Sequence, residues 1–195
     1  KGVLLSGAAG VRNGRVTVIG GGVVGYNAVL SALGLGADVT VIDIKQDVLE
    51  YYYDKFQGKV KTLPSYPEII ENQLKHSDLV VGAVLVTGAK APKVVTKKMI
   101  SNMEPGSLFV DVAIDQGGCS ETSKPTNHDN PVYKVSDVLH YCVTNMPSLV
   151  AQTSTLSLSN AILPYVLKIA DGKVDQDPAL LKGLNIDQGL SLINL

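Results

Sequence analysis

The run Arg15-Val-Thr-Val-Ile-Gly-Gly-Gly-Val-Val-Gly25 restricts the fold more than any other stretch of this chain. Its first half is a short β-branched run that ends in glycines, the pattern of a buried parallel strand. Its second half spells Gly-x-Gly-x-x-Gly and leads into a helical pattern from Gly22 to Leu35, closed by Gly34 and Gly36. The three glycines have separate tasks. Gly20 permits a tight strand-to-helix turn, Gly22 lets a ligand approach the backbone, and Gly25 lets the helix lie close to the sheet. The N–H groups and positive dipole end of such a helix attract a diphosphate. Asp38-Val-Thr-Val-Ile-Asp43 is a second buried strand with a carboxylate at its end. A carboxylate there accepts from both hydroxyls of an adenosine ribose and repels a 2′-phosphate, which predicts NAD rather than NADP. No arginine follows it, and Lys45 is the nearest cation. The alternative is a glycine-rich turn that holds nothing.

The rest of the chain extends this unit. Helical spacing covers Gln46 to Phe56, with Val48, Leu49, Tyr52, Tyr53 and Phe56 as its apolar positions. Val60 to Leu63 reads as a third strand, Pro67 to His76 as a helix and Leu79 to Val84 as a fourth strand. Thr96 to Met103 reads as a short helix stopped by Pro105-Gly106, Ser107 to Asp111 as a fifth strand and Asp137 to Val143 as a possible sixth. Strands alternating with helices predict an α/β fold, a doubly wound parallel sheet of the Rossmann type, with ligands at the carboxyl ends of its strands. The tail differs. Gln152 to Asp171 is one long helical pattern with Pro164 as a kink, and Asp177 caps a short helix that ends at Gly183. No strand of the tail joins the sheet. The division is 1–147 for the nucleotide domain and 148–195 for a helical segment that packs on a second domain.

Composition excludes several classes. With 45% hydrophobic and 18% charged residues the 195-residue chain is globular rather than disordered. A net charge of -1 gives no basic excess for nucleic acid. The longest apolar run, within 78–86, is strand-sized, so no membrane span is expected. Cys119 and Cys142 read as reduced, buried thiols. With no signal peptide pattern, a cytoplasmic location is expected. The chain opens at Lys1 inside structured sequence, which suggests a fragment with something missing upstream.

Further motifs carry a resemblance. Val81-Gly-Ala-Val-Leu-Val-Thr-Gly-Ala-Lys-Ala-Pro92, Val110-Asp-Val-Ala-Ile-Asp-Gln-Gly-Gly118, Tyr141-Cys-Val-Thr-Asn-Met-Pro147 and Thr153-Ser-Thr155 resemble the alanine dehydrogenase / NAD(P) transhydrogenase alpha-subunit family, on its alanine dehydrogenase side, over essentially the whole chain. The resemblance implies NAD-dependent interconversion of L-alanine with pyruvate and ammonia by a two-domain, often hexameric, enzyme. This chain would be its NAD domain with the C-terminal helices that return to the substrate domain. The upstream segment would hold the substrate's carboxylate and the histidine acid/base. A transhydrogenase NAD subunit and a non-catalytic NAD-binding fragment are the competing readings.

By the same resemblance, Gly20, Gly22, Val23, Val24 and Gly25 hold the pyrophosphate and Asp43 the adenosine ribose. Ser65, Val84 and Leu85 lie on the adenine side. Val112, Ala113, Ile114 and Asp115 flank the nicotinamide ribose, and Val143, Thr144, Asn145 and Met146 line the nicotinamide ring. Lys124 stands for an arginine that contacts the cofactor. Val48 replaces a lysine near the ribose, and Thr87 a proline. Lys168 and Gly172 replace a magnesium-binding glutamate and histidine, so no metal is expected. Asp115 is the catalytic candidate, because a carboxylate stabilises an iminium cation and relays protons. Its plain alternative is an aspartate bracing a loop. Asp111, on the strand itself, is read as structural. His76 and His128 read as solvated or turn residues, and His140 as packed or on an exposed edge. Lys90 and Lys93 could touch a phosphate, although a surface role fits them better.

Overall fold

The computed structural model describes residues 1–187 and 189–191 of the chain. The chain divides into two compact units, Lys1–Met146 and Pro147–Leu195. In the first, β1 (Arg15–Ile19), β2 (Asp38–Asp43), β3 (Val60–Pro64), β4 (Leu79–Gly82) and β5 (Leu108–Asp111) alternate with α1 (Val23–Gly34), α2 (Gln46–Phe56), α3 (Pro67–Lys75) and α4 (Lys97–Ser101). Two further strands, β6 (Val132–Val135) and β7 (Val138–Tyr141), follow. The sheet order is β3-β2-β1-β4-β5-β7-β6. All pairings are parallel except β6 with β7.

The β-branched runs sit where both faces of the sheet are covered. Val16, Val18, Val39 and Val41 pack on one side with Val29, Leu49 and Tyr52; Ile19, Ile42 and Val80 pack on the other with Ile70, Leu74 and Phe109. Parallel strands buried on both faces need such continuous runs. Two threonines interrupt them, Thr17 and Thr40, and Gln73 of α3 bonds to both hydroxyls. Winding runs outward in one direction from β1 to β3 and in the other from β4 to β5. The reversal therefore falls between β1 and β4.

The edge differs from the sequence reading. The possible sixth strand is the shorter β7, and β6 before it was not foreseen. Ser136 and Asp137 both have positive φ, 49° and 62°, and join the two strands in a tight hairpin. That turn ordinarily takes Asn-Gly or Asp-Gly, so Ser-Asp gives little warning of it. Because β6 covers β7, His140 is fully buried rather than on an exposed edge. Its Nδ1–H donates to the Val138 carbonyl (3.1 Å) and its Nε2 accepts from the Thr122 hydroxyl (2.8 Å). Burial holds its pKa below the usual histidine value.

Asp78 ties the amino-terminal end of the sheet together. Its carboxylate accepts from the Arg12 guanidinium (2.7 and 3.1 Å), the Arg15 N–H (2.9 Å) and the Lys1 ammonium (2.8 Å). Burial alone would push this carboxyl up, but the donors outweigh it and hold it below the usual carboxylate range. A depressed pKa contributes stability above the ordinary carboxylate range that is lost as pH falls towards the folded value. Asp78→Asn is therefore expected to lose roughly 2 kcal/mol at pH 7 and to show a flatter fall in urea midpoint between pH 6 and about pH 3 than the parent chain. Parallel curves for the two proteins would exclude this account.

The second unit contains α5 (Ala151–Ala170), α6 (Pro178–Gly183) and a short pair, β8 (Ile186–Asp187) with β9 (Leu190–Ser191), which the sequence reading did not anticipate. Pro164 lies inside α5, and no residue of that helix is buried. Asp177 caps α6 as expected, accepting from the N–H groups of Ala179 (2.8 Å) and Leu180 (3.1 Å), and pairs with Lys168. Among the described residues no helix is long and apolar enough to cross a membrane.

Candidate functional site

The carboxyl ends of β1, β2 and β4 enclose the most sequence-constrained backbone in the molecule. Gly20 has φ +99°, and a Cβ there would lie 2.6 Å from the Ala83 carbonyl oxygen. A Cβ on Gly25 would lie 1.9 Å from the Gly20 carbonyl oxygen. Gly22 behaves oppositely, since a Cβ there meets nothing within 4 Å. The first and third glycines thus serve packing, and the second keeps the helix entrance open. α1 starts at Gly22 without a side-chain cap and without an acidic residue in its first turn. Its first intrahelical bond runs from the Tyr26 N–H to the Gly22 carbonyl (2.8 Å). The N–H groups before Tyr26, those of Val23 and Val24 among them, have no intrahelical acceptor and are available to an anion.

A groove of about 400 Å³ opens beside this turn. Ile44, Val48, Val84, Leu85 and Val86 give it apolar walls, and Gly20, Gly22, Val23, Asp43, Lys45 and Ser65 complete it. Apolar walls with a few placed polar groups suit a flat aromatic base and its sugar. Asp43 does more here than the sequence reading allowed. Its Oδ2 accepts from the Gly21 N–H (2.7 Å) and its Oδ1 from the Lys45 N–H (2.9 Å). The carboxylate therefore holds the glycine turn as well as facing the groove, and each oxygen retains a further lone pair for a sugar hydroxyl. From α2, the Tyr52 hydroxyl donates to the Gly21 carbonyl (3.2 Å). Burial, then the nearby Asp43 charge, pushes the Tyr52 pKa up to about 12, so it stays a donor.

A smaller hollow of about 160 Å³ shares the Ala83, Val84 and Leu85 wall with the groove and is completed by Val24, Val112, Ala113, Asp115 and Gln116. Asp115 is exposed in a single 3-10 turn, Val112–Gln116, at the end of β5. That turn is braced by Asp111, which is buried and accepts from the N–H groups of Ala113 (3.1 Å) and Cys119 (2.8 Å) and from the Ser123 hydroxyl (2.5 Å). The role read for Asp111 from its position on the strand is the one its bonds give it. Asp115 accepts from the Asn145 N–H, at 3.1 and 3.4 Å to its two oxygens, which brings the 143–146 segment to this end of the sheet.

Among the other expected residues, Val143 and Ile114 are buried and line neither hollow, whereas Ala113, also buried, borders the smaller one. Lys124 is exposed and lines neither hollow; its N–H donates to the Tyr133 hydroxyl (2.7 Å). Lys93 has a structural task that the sequence reading missed. Its ammonium donates to the carbonyls of Gly117 (2.6 Å) and Gly118 (2.9 Å) and so clamps the loop after Asp115. Tyr52 was also missed, because only the folded chain brings it to the turn, and Gln116, although next to Asp115 in sequence, was given no role.

A glycine turn at the reversal of a doubly wound sheet, with a carboxylate on the neighbouring strand, defines a Rossmann-type dinucleotide-binding domain. The family model described as "Alanine dehydrogenase/PNT, C-terminal domain" matches residues 1–193, and the chain belongs to that family. The alanine dehydrogenase of Halomonas elongata is 54% identical over 192 residues, 96% of this chain and 52% of that protein. That of Mycobacterium tuberculosis is 48% identical, covering 98% of this chain and 53% of that protein. A solved L-alanine dehydrogenase superposes with a TM-score of 0.91 at 45% identity, over 98% of this chain and 54% of that one. A transhydrogenase structure from Sinorhizobium meliloti follows at 0.68 and 26% identity, over 75% of this chain and 42% of that one. The chain thus spans about half the length of the curated relatives it matches.

Proposed function

We propose that this chain is the NAD domain of an alanine dehydrogenase, which interconverts L-alanine with pyruvate and ammonia. The observation that carries the reading is the pairing of the Gly20–Gly25 turn with Asp43 at one end of a hollow wall and Asp115 at the other. The N–H groups of Val23 and Val24 would hold the pyrophosphate, and Asp43 the adenosine ribose. Ser65, Val84 and Leu85 would flank the adenine side. The nicotinamide end would lie towards Asp115 and the 143–146 segment, with Thr144, Asn145 and Met146 as neighbours. When bound, the cofactor supplies hydride transfer. Asp115 would supply a negative charge near the reacting carbon, which stabilises the iminium cation that forms when hydride leaves the neutral amine, and it can take and return the proton of the attacking water.

The second unit supports the same reading. The apolar side chains of Leu156, Ile162, Leu163, Val166 and Ile169 on α5 are exposed, as expected of a helix that packs against a substrate domain.

Calorimetry tests the proposal. The 195-residue chain is expected to bind NADH with NADPH at least about tenfold weaker, and to show no alanine oxidation alone. In the longer protein, Asp115→Asn is expected to lower kcat by about 10²-fold or more with the affinity for NADH unchanged. Tighter binding of NADPH, or turnover by the isolated chain, would overturn it.

A further inference from the structure

Gln116 combines three features that no packing role explains. Its side chain lines the smaller hollow, next to Asp115. Its Oε1 is shielded from solvent and has no donor among the described residues. Its backbone is held from its own carbonyl onward: the Ala91 N–H donates to the Gln116 carbonyl (2.9 Å), and Lys93 grips the carbonyls of the two residues that follow. Folded chains rarely leave a buried acceptor unmet, and the exceptions call for a reason. Here the backbone of the turn is held by hydrogen bonds, and the side chain borders the hollow, so a turn of the side chain brings its shielded Oε1 to a donor that arrives there.

We infer that the Gln116 carboxamide pairs with the carboxamide of the nicotinamide ring, its Oε1 accepting from the amide nitrogen of the cofactor. This rests on the function proposed above. A primary amide presents two N–H donors and one acceptor, and glutamine offers the same set in reverse, so the two groups satisfy each other. The neighbouring carboxylate, Asp115, already accepts the Asn145 N–H and faces the opposite charge requirement of the substrate. The hollow is large enough for the ring and its amide, and it joins the adenosine groove through the shared Ala83–Leu85 wall.

The test compares the chain with its Gln116→Met variant, which keeps the side-chain length and removes the acceptor. Calorimetric ligands are NADH, reduced 3-acetylpyridine adenine dinucleotide, which carries a methyl group where the amide nitrogen stands, and ADP-ribose. The parent chain is expected to bind NADH about tenfold more tightly than the acetylpyridine analogue. The variant should melt no lower than the parent, bind NADH about tenfold more weakly, and bind the other two ligands unchanged. Equal affinity of both proteins for NADH, or a matching loss for ADP-ribose, overturns the inference. Equal affinity of the parent for NADH and the analogue overturns the inference even if the variant does not fold. Failure of the parent to bind either NADH or ADP-ribose would instead sink the proposed function.

Discussion

Gly25→Ala is expected to destabilise the chain by about 3 kcal/mol or more and to remove detectable NADH binding. A methyl group at this position lies 1.9 Å from the Gly20 carbonyl oxygen, a backbone atom with no rotamer to yield. Relief requires α1 to lift off β1, and that moves the amides that would face the diphosphate. Gly22→Ala provides the internal control. Its Cβ meets no protein atom, so its stability should stay within about 0.5 kcal/mol of the parent's while NADH affinity still falls. The check is the urea midpoint, at constant denaturant slope, set beside calorimetric affinity for all three proteins. A Gly25→Ala chain with parental midpoint and affinity would show that the turn tolerates a side chain and is not held as described.

Asp43→Ala should weaken NADH binding by about 10²-fold, a larger effect than loss of a single ribose contact. The substitution would remove the charge-assisted bonds proposed to the ribose, and it releases the Gly21 and Lys45 N–H groups that the carboxylate now holds. Asp43→Asn separates the two parts. It keeps one acceptor and removes the charge, so the preference for NADH over NADPH should shrink while the turn remains formed. Calorimetry with both nucleotides reads the two effects. An Asp43→Ala chain within about threefold of the parent for NADH would assign the carboxylate a purely structural role.

Much of this was legible because the determining interactions are local. The β-branched runs at 15–19 and 38–43, the three glycines and the terminal Asp43 lie within one strand–helix–strand unit, where neighbours in sequence are neighbours in space. Asp177 was readable as a cap for the same reason, since its partners are the next residues of its own helix. The β6–β7 hairpin was not readable, because its turn uses Ser136 and Asp137 in place of the residues that announce such turns. Lys93 and Tyr52 escaped notice because their partners lie on other elements, and Gln116 because its mark is a shielded acceptor with no donor among the described residues.

Sequence alone therefore determined that this chain builds a glycine turn between two buried strands with a carboxylate beside it, since each part is encoded by residues a few places apart and by steric limits on the backbone. Tertiary structure decided what that carboxylate holds, how Lys93 fixes the Asp115 loop and which acceptor is left unmet. Those relations join residues from separate elements, and distances between elements are set by packing rather than by spacing along the chain.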